Sequence, residues 1–251
     1  MASTAVPGRL TWRLAEVVAT ADETPTVRTL RLQVPGWPGH RPGQHLDVRL
    51  TAPDGYRAQR SYSIATPADR ERLDIAVERL DDGEVSPYLN GELRVGDQIE
   101  LRGPIGGYFV WDPSHGGPVL LIGGGSGVVP LMAMARARAR VASTVPMRWL
   151  SSSRTLADVV YRAELEQLAA AHDSFELFQT LTRDAPEDWA GHRGRIDERL
   201  LAEVAGPADA ARQTFVCGPT SFVEGVATNL VGLGHPPTTI KTERFGATGA
   251  P

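Results

Sequence analysis

The sequence predicts two domains, an N-terminal antiparallel β-barrel and a C-terminal doubly wound α/β domain with a parallel sheet. Three observations predict this. Between residues 11 and 111, short runs alternate apolar and polar side chains and are separated by Pro/Gly turns. From residue 119 onward, continuous apolar runs alternate with helical patterns instead. Between the two lies Asp112-Pro113-Ser114-His115-Gly116-Gly117-Pro118, which reads as a linker because it is rich in turn formers and nearly free of apolar side chains. The barrel domain is therefore assigned to 1–112 and the α/β domain to 117–251.

In the first domain, 12–17, 27–32, 45–50 and 73–77 carry partial or full period-two alternation and are expected as strands. Pro35-Gly36, Pro42-Gly43 and Asp54-Gly55 punctuate them, as short antiparallel strands require. One helix is expected over 86–93, with Ser86 as its N-cap and Pro87 at its first position. In the second domain, Val119-Leu120-Leu121-Ile122 is apolar throughout, the pattern of a strand buried on both faces. Helices are expected over 128–141, 158–171 and 220–233, and strands over 147–151, 175–181 and 213–217. That alternation is the doubly wound pattern.

Composition narrows the function. With 41% hydrophobic and 22% charged residues the chain is an ordinary globular one, and a net charge of −4 speaks against a nucleic-acid binder. The single cysteine, Cys217, excludes an internal disulfide and fits a reducing, cytoplasmic setting. It also excludes a cysteine-ligated iron–sulfur cluster held by these residues alone, since that takes about four thiolates. The N-terminus has no basic stretch leading into an apolar core, and no apolar run reaches the roughly 20 residues of a membrane span. None of the six histidines has metal-ligand spacing, so no metal is expected, and all six read as structural or solvent-facing. A Gly-x-Ser-x-Gly elbow and a Gly-x4-Gly-Lys phosphate loop are both lacking.

The strongest local signal is Gly123-Gly124-Gly125-Ser126-Gly127-Val128-Val129-Pro130, which joins a buried strand to a helix. Glycines let a backbone approach phosphates, and the free N–H groups of a helix start point at them. The plain alternative is a tight turn without a ligand. For Arg60-Ser61-Tyr62-Ser63 the plain alternative is a strand surface, and for Cys217 it is a small buried hydrophobe.

Taken in order, Arg60-Ser61-Tyr62-Ser63, the Gly-rich run, Cys217-Gly218-Pro219 and Glu243-Arg244-Phe245 resemble the ferredoxin–NADP reductase superfamily. The resemblance runs from about residue 11 to 249, and Gly103–Phe109 matches the end of that family's barrel. It implies a flavin barrel joined to a nicotinamide-binding domain. By resemblance, Tyr62 packs on the flavin ring, Arg60 pairs with its phosphate, Ser61 belongs to the same motif and Ser63 reaches the ring near N5. The segment 82–87 resembles the second flavin motif, where Gly83, Val85 and Ser86 would serve the pyrophosphate, with Val77 on the strand before them. The helix start at Val85-Ser86 favours FAD over FMN.

The resemblance also implies that Ser63, Cys217 and Glu243 surround the hydride path as the catalytic set. Gly218 and Pro219 would line the nicotinamide pocket beside Cys217, and Phe245 stands where relatives carry an aromatic residue over the flavin. Gly124, Gly125, Ser126 and Gly127 would hold the dinucleotide pyrophosphate. Thr182-Arg183 resembles the pair that binds the 2′-phosphate of NADPH, with Arg193 and Arg195 closing the pocket and Arg154 a second candidate. NADPH is thus expected over NADH. The expected function is a reductase passing hydride from NADPH to FAD and then single electrons to a separate ferredoxin, flavodoxin or oxygenase component. The alternatives are a free-flavin or quinone reductase, a flavin subunit without independent turnover, and a flavin-free dehydrogenase of Rossmann type, which would be colourless.

Overall fold

The computed structural model describes residues 10–246, so the outermost ends of the two assigned domains, 1–9 and 247–251, lie outside the described residues. Six antiparallel strands build the first domain: β1 (Arg13–Asp22), β2 (Val27–Gln33), β3 (His45–Thr51), β4 (Arg57–Ser63), β5 (Arg72–Glu78) and β6 (Gln98–Ile105). They run in the order β4-β3-β6-β1-β2-β5, and a lone antiparallel bridge from Ile64 to Ile75 ties the two edges into a barrel. Along the rest of that seam β4 and β5 have no ladder between them. The four strands expected from alternation fall on β1, β2, β3 and β5, with β1 running on to Asp22.

Alternation sorts the side chains as the pleat requires. Leu30, Leu32, Leu46, Val48, Leu73, Ile75 and Val77 fill the barrel interior. Outside it, buried Asp47 accepts hydrogen bonds from Arg102 Nε (2.9 Å), Gln59 (2.9 Å) and Ser61 (2.6 Å). The Pro42-Gly43 turn has a steric cause. Gly43 has φ +97°, and a Cβ there would lie 1.9 Å from the Phe109 carbonyl oxygen.

One expectation in this domain is corrected. The 86–93 helix is a short helical segment whose five residues Tyr88–Glu92 form a π-turn, and no side chain caps it. Ser86 lies inside the helical turn, and its hydroxyl accepts from the Leu80 N–H. Buried Asn90 anchors the turn by donating to the carbonyls of Thr26 and Val77.

The second domain comprises β7 (Val119–Gly124), α1 (Val128–Arg140), β8 (Met147–Ser153), α2 (Arg162–Ala171), β9 (Phe175–Leu181), β10 (His192–Arg193), α3 (Glu198–Ala205), β11 (Gln213–Pro219), α4 (Thr220–Gly232) and β12 (Ile240–Phe245). Its sheet is parallel, ordered β10-β9-β8-β7-β11-β12. Its apolar strands divide between two cores. Val119 and Leu121 face α1 and α2, while Leu120 and Ile122 face α3 and α4. A strand covered on both sides has no reason to alternate, which explains the continuous run.

The helix expected over 158–171 begins only at Arg162, because Tyr161 takes a left-handed conformation (φ +59°) after a 3₁₀ turn at Leu156–Asp158. The linker is ordered by a second 3₁₀ turn, Pro113–His115, capped by Asp112. Helix α3 and strand β12 were not expected, although Asp197 caps α3 by accepting from the Leu200 N–H.

Helix α1 joins the domains. It is apolar on nearly all sides and buried from Val128 to Ala135, in one cluster with Val27, Ala65, Ala76, Phe109 and Trp111 of the barrel and its trailing segment. Arg136 extends the junction. It donates to the Ala65 carbonyl (2.9 Å), pairs with both oxygens of Glu164 (2.8 and 2.6 Å) and lies over the Tyr161 ring. Tyr108 and Lys241 add hydrogen bonds to the carbonyls of Ile240 and Val110. Arg136→Ala is expected to remove about 2 kcal/mol of stability, read as a lower urea midpoint with the two domains still unfolding together.

Candidate active site

The Gly-rich run folds as the end of β7, a 3₁₀ turn at Gly125–Gly127, and the start of α1. A Cβ on Gly127 would lie 2.3 Å from the Cys217 carbonyl oxygen, so glycine alone lets the turn rest on β11. No side chain caps the start of α1. The Ser126 hydroxyl instead donates to Glu78 of the barrel at 2.6 Å. Above the turn is a cavity of about 230 Å³ lined from both domains. The sheet order reverses between β7 and β11, so the cavity lies at the switch point of the doubly wound sheet, where such folds bind ligands.

Gly124, Gly125, Ser126, Arg154, Thr182, Pro219 and Phe245 of the expected set line this cavity, and Gly127, Cys217 and Gly218 form the packed floor beside it. The other Arg candidates stand apart. Arg183 and Arg195 are exposed and absent from the lining. Arg193 donates to the carbonyls of Ala185, Pro186 and Glu187, so it holds its own loop together. Sequence reasoning missed Thr24, Thr26, Glu78, Asp158 and Phe222, which also line it.

A second cluster forms where the barrel meets the sheet. Cys217 of β11 and Glu243 of β12 are register neighbours, as are His45 of β3 and Ser63 of β4. His45 Nδ1 lies 3.6 Å from Glu243 Oε1 and links the two pairs. The expected catalytic residues Ser63, Cys217 and Glu243 therefore converge from three strands, and His45, read from sequence as structural or solvent-facing, joins them. Its signal was pairing register, which appears only once β3 is laid against β4.

Burial governs this cluster. It pushes the Glu243 carboxyl up to about 7, and Glu243 Oε2 is buried with no hydrogen-bond partner. It raises the Cys217 thiol well above its usual range, with help from the Glu243 charge. It lowers the His45 imidazole, with Asp47 opposing. His45 and Glu243 are thus both driven towards their neutral forms, and their contact near pH 7 is a weak ion pair at most.

Along the barrel seam, Tyr62 and Ser63 point to opposite sides of β4, flanking its free edge. Tyr62 is partly buried, which pushes its phenol up to about 12. Arg60 is exposed and pairs with Glu84 at 2.7 Å. Ser61 turns to the outer face and donates to Asp47. Val77 and Val85 are fully buried in the barrel core, so their side chains act in packing. Gly83 closes the loop after β5 through its N–H to the Leu80 carbonyl.

Comparison with known proteins fits this arrangement. Residues 15–110 match the oxidoreductase FAD-binding domain, and residues 121–228 match the oxidoreductase NAD-binding domain. Ferredoxin–NADP reductase B of Sorangium cellulosum is 36% identical over 81% of this chain and 84% of its own length. The chain belongs to the ferredoxin–NADP reductase family. Its two domains make it an oxidoreductase that combines FAD with NAD(P). The glycine betaine monooxygenase reductase subunit of Chromohalobacter salexigens is 35% identical over 84% of this chain, which spans 57% of that protein. The flavohem-like FAD/NAD-binding domain of nitric oxide dioxygenase from Vibrio cholerae superposes with a TM-score of 0.84 at 26% identity, covering 93% of this chain and 98% of that one.

The residues fit a flavin on structural grounds. A strand edge without a ladder, carrying an aromatic ring and a guanidinium, ends beside a buried carboxylate oxygen that has no partner. Among the described residues no group of three or more His, Cys, Asp and Glu is placed to hold a metal ion.

The raised Glu243 pKa has a definite sign. The folded chain keeps a proton that the unfolded chain loses near 4.5, so stability falls as pH rises from there to about 7. Glu243→Gln cannot titrate. Denaturant titrations at pH 4.5 and 7.5 are expected to change the wild-type stability by about 3 kcal/mol relative to this variant.

Proposed function

We propose that this reductase takes hydride from NADPH onto FAD and passes electrons singly to a separate redox protein, a ferredoxin, flavodoxin or oxygenase component, in the cytoplasm. The observation that carries the reading is the Ser126–Glu78 hydrogen bond across the domain boundary, with a cavity lined by the Gly-rich turn on one side and the barrel on the other. Bound flavin supplies the hydride-accepting ring and the change from two-electron to one-electron chemistry.

The chain's own residues bind, orient and exclude water. The uncapped start of α1 offers N–H groups and a positive dipole end to a pyrophosphate. Arg60 offers a forked donor to the flavin phosphate, and Tyr62 an aromatic face to its ring. Ser63, Cys217 and Glu243 would wall the place where the two cofactors meet, Cys217 buried and the other two partly so, which limits the access of water. With a carboxyl near 7, Glu243 can hold or release a proton at Oε2 at working pH. Cys217 is a neutral thiol that supplies shape and apolar contact.

NADPH is favoured by Arg154 and Thr182 at the carboxyl ends of β8 and β9, where a 2′-phosphate would lie. Asp158 lines the same end and would suit the ribose diol of NADH, but its carboxylate accepts from the N–H and hydroxyl of Thr155. The acceptor is read from the relatives described as oxygenase reductase components.

An anaerobic spectrum of the purified chain should be yellow and should bleach at lower NADPH than NADH. A colourless protein that does not take up FAD would overturn the reading. Arg154→Ala should raise KM for NADPH roughly tenfold while leaving NADH nearly unaffected. Equal effects on both coenzymes would remove the 2′-phosphate role.

A further inference from the structure

Arg60 and Glu84 join the two sides of the barrel seam. Arg60 sits on β4 and Glu84 in the loop after β5, and their side chains are paired at 2.7 Å while about half exposed. The second Glu84 oxygen accepts from the Tyr56 hydroxyl, so the carboxylate is held from two directions. The other terminal nitrogen of Arg60 donates to the Gln59 carbonyl at 2.7 Å. A guanidinium beside an open seam is thus already directed at an anion belonging to the chain itself.

A carboxylate and a phosphate compete for the same kind of donor, and two anions on one guanidinium repel each other. We propose that Glu84 is an internal competitor for Arg60, so that Glu84, held by Tyr56, lowers and thereby sets the affinity of this chain for flavin. The inference rests on the reading that Arg60 holds a flavin phosphate. Glu84 lies beside the donor without contributing one, and its charge works against the ligand. An exposed pair of this kind changes binding modestly, and salt screens the effect.

The test is a titration of the flavin-stripped full chain with FAD, followed by quenching of flavin fluorescence, for wild type, Glu84→Gln, Arg60→Ala and the double variant. Glu84→Gln keeps the shape and removes the charge, and is expected to bind FAD about two- to fivefold more tightly. Arg60→Ala is expected to bind roughly tenfold more weakly, and the gain from Glu84→Gln should vanish in its background. The gain should also shrink as salt is raised. Should Glu84→Gln bind equally or more weakly while Arg60→Ala still weakens binding, Glu84 is no competitor and the phosphate reading of Arg60 survives. An equal gain with and without Arg60 would mean that Glu84 does not act through it, and the proposal falls. If Arg60→Ala leaves affinity unchanged, the phosphate reading fails and the inference with it. Unchanged circular dichroism of each variant separates these outcomes from misfolding.

Discussion

The architecture depends on one helix being apolar almost all the way round. An ordinary surface helix buries a single stripe, but α1 has nowhere to present a polar face because the sheet lies on one side and the barrel on the other. The hydrophobic effect therefore makes two domains of different class share a core, and the arginine that ends this buried stretch ties itself to both. The consequence for chemistry is positional. The Gly-rich turn heads that same helix, so whatever fixes α1 against the barrel also fixes the cavity beneath the domain boundary.

Electrostatics at the site follow from the same packing. Strands β11 and β12 deliver a thiol and a carboxyl to the boundary, where the barrel excludes solvent but supplies no strong partner. A carboxylate buried against a charged guanidinium would have its pKa depressed, as Glu100 beside Arg49 does on the barrel surface. Glu243 has a histidine for a neighbour, and the histidine is itself driven neutral by burial. Desolvation is left as the dominant force, and the group is poised to exchange a proton near neutrality.

How much of this was legible in sequence depended on whether a residue's surroundings were local. The parallel sheet was readable because 119–122 is apolar at every position, and α1 because its helical pattern follows a glycine turn. Strand β4 carried little pattern of its own, since Arg57, Gln59, Arg60 and Ser61 face solvent or the Asp47 network. Strand β12 buries one side chain fully, Ile240, and reads as a polar tail. The convergence of Ser63, Cys217 and Glu243 followed from motif order, whereas His45 needed the β3–β4 register and Glu78 needed the docking of two domains. The Arg candidates divided for a similar reason. Which guanidinium is spent on nearby carbonyls, as Arg193 is, depends on a loop path that composition does not encode.

The barrel's incomplete closure has a consequence for the chain's life outside its site. A strand with one unpaired edge is a template for strand addition by another chain, and barrels ordinarily avoid that hazard by closing. Here the ladder between β4 and β5 is a single bridge, so the hazard remains along most of the seam. The exposed cations Arg57 and Arg60 stand along that edge, in the manner of the charged guards that edge strands carry against self-association. The open seam is therefore also the barrel's point of aggregation risk, and the charges beside it serve solubility.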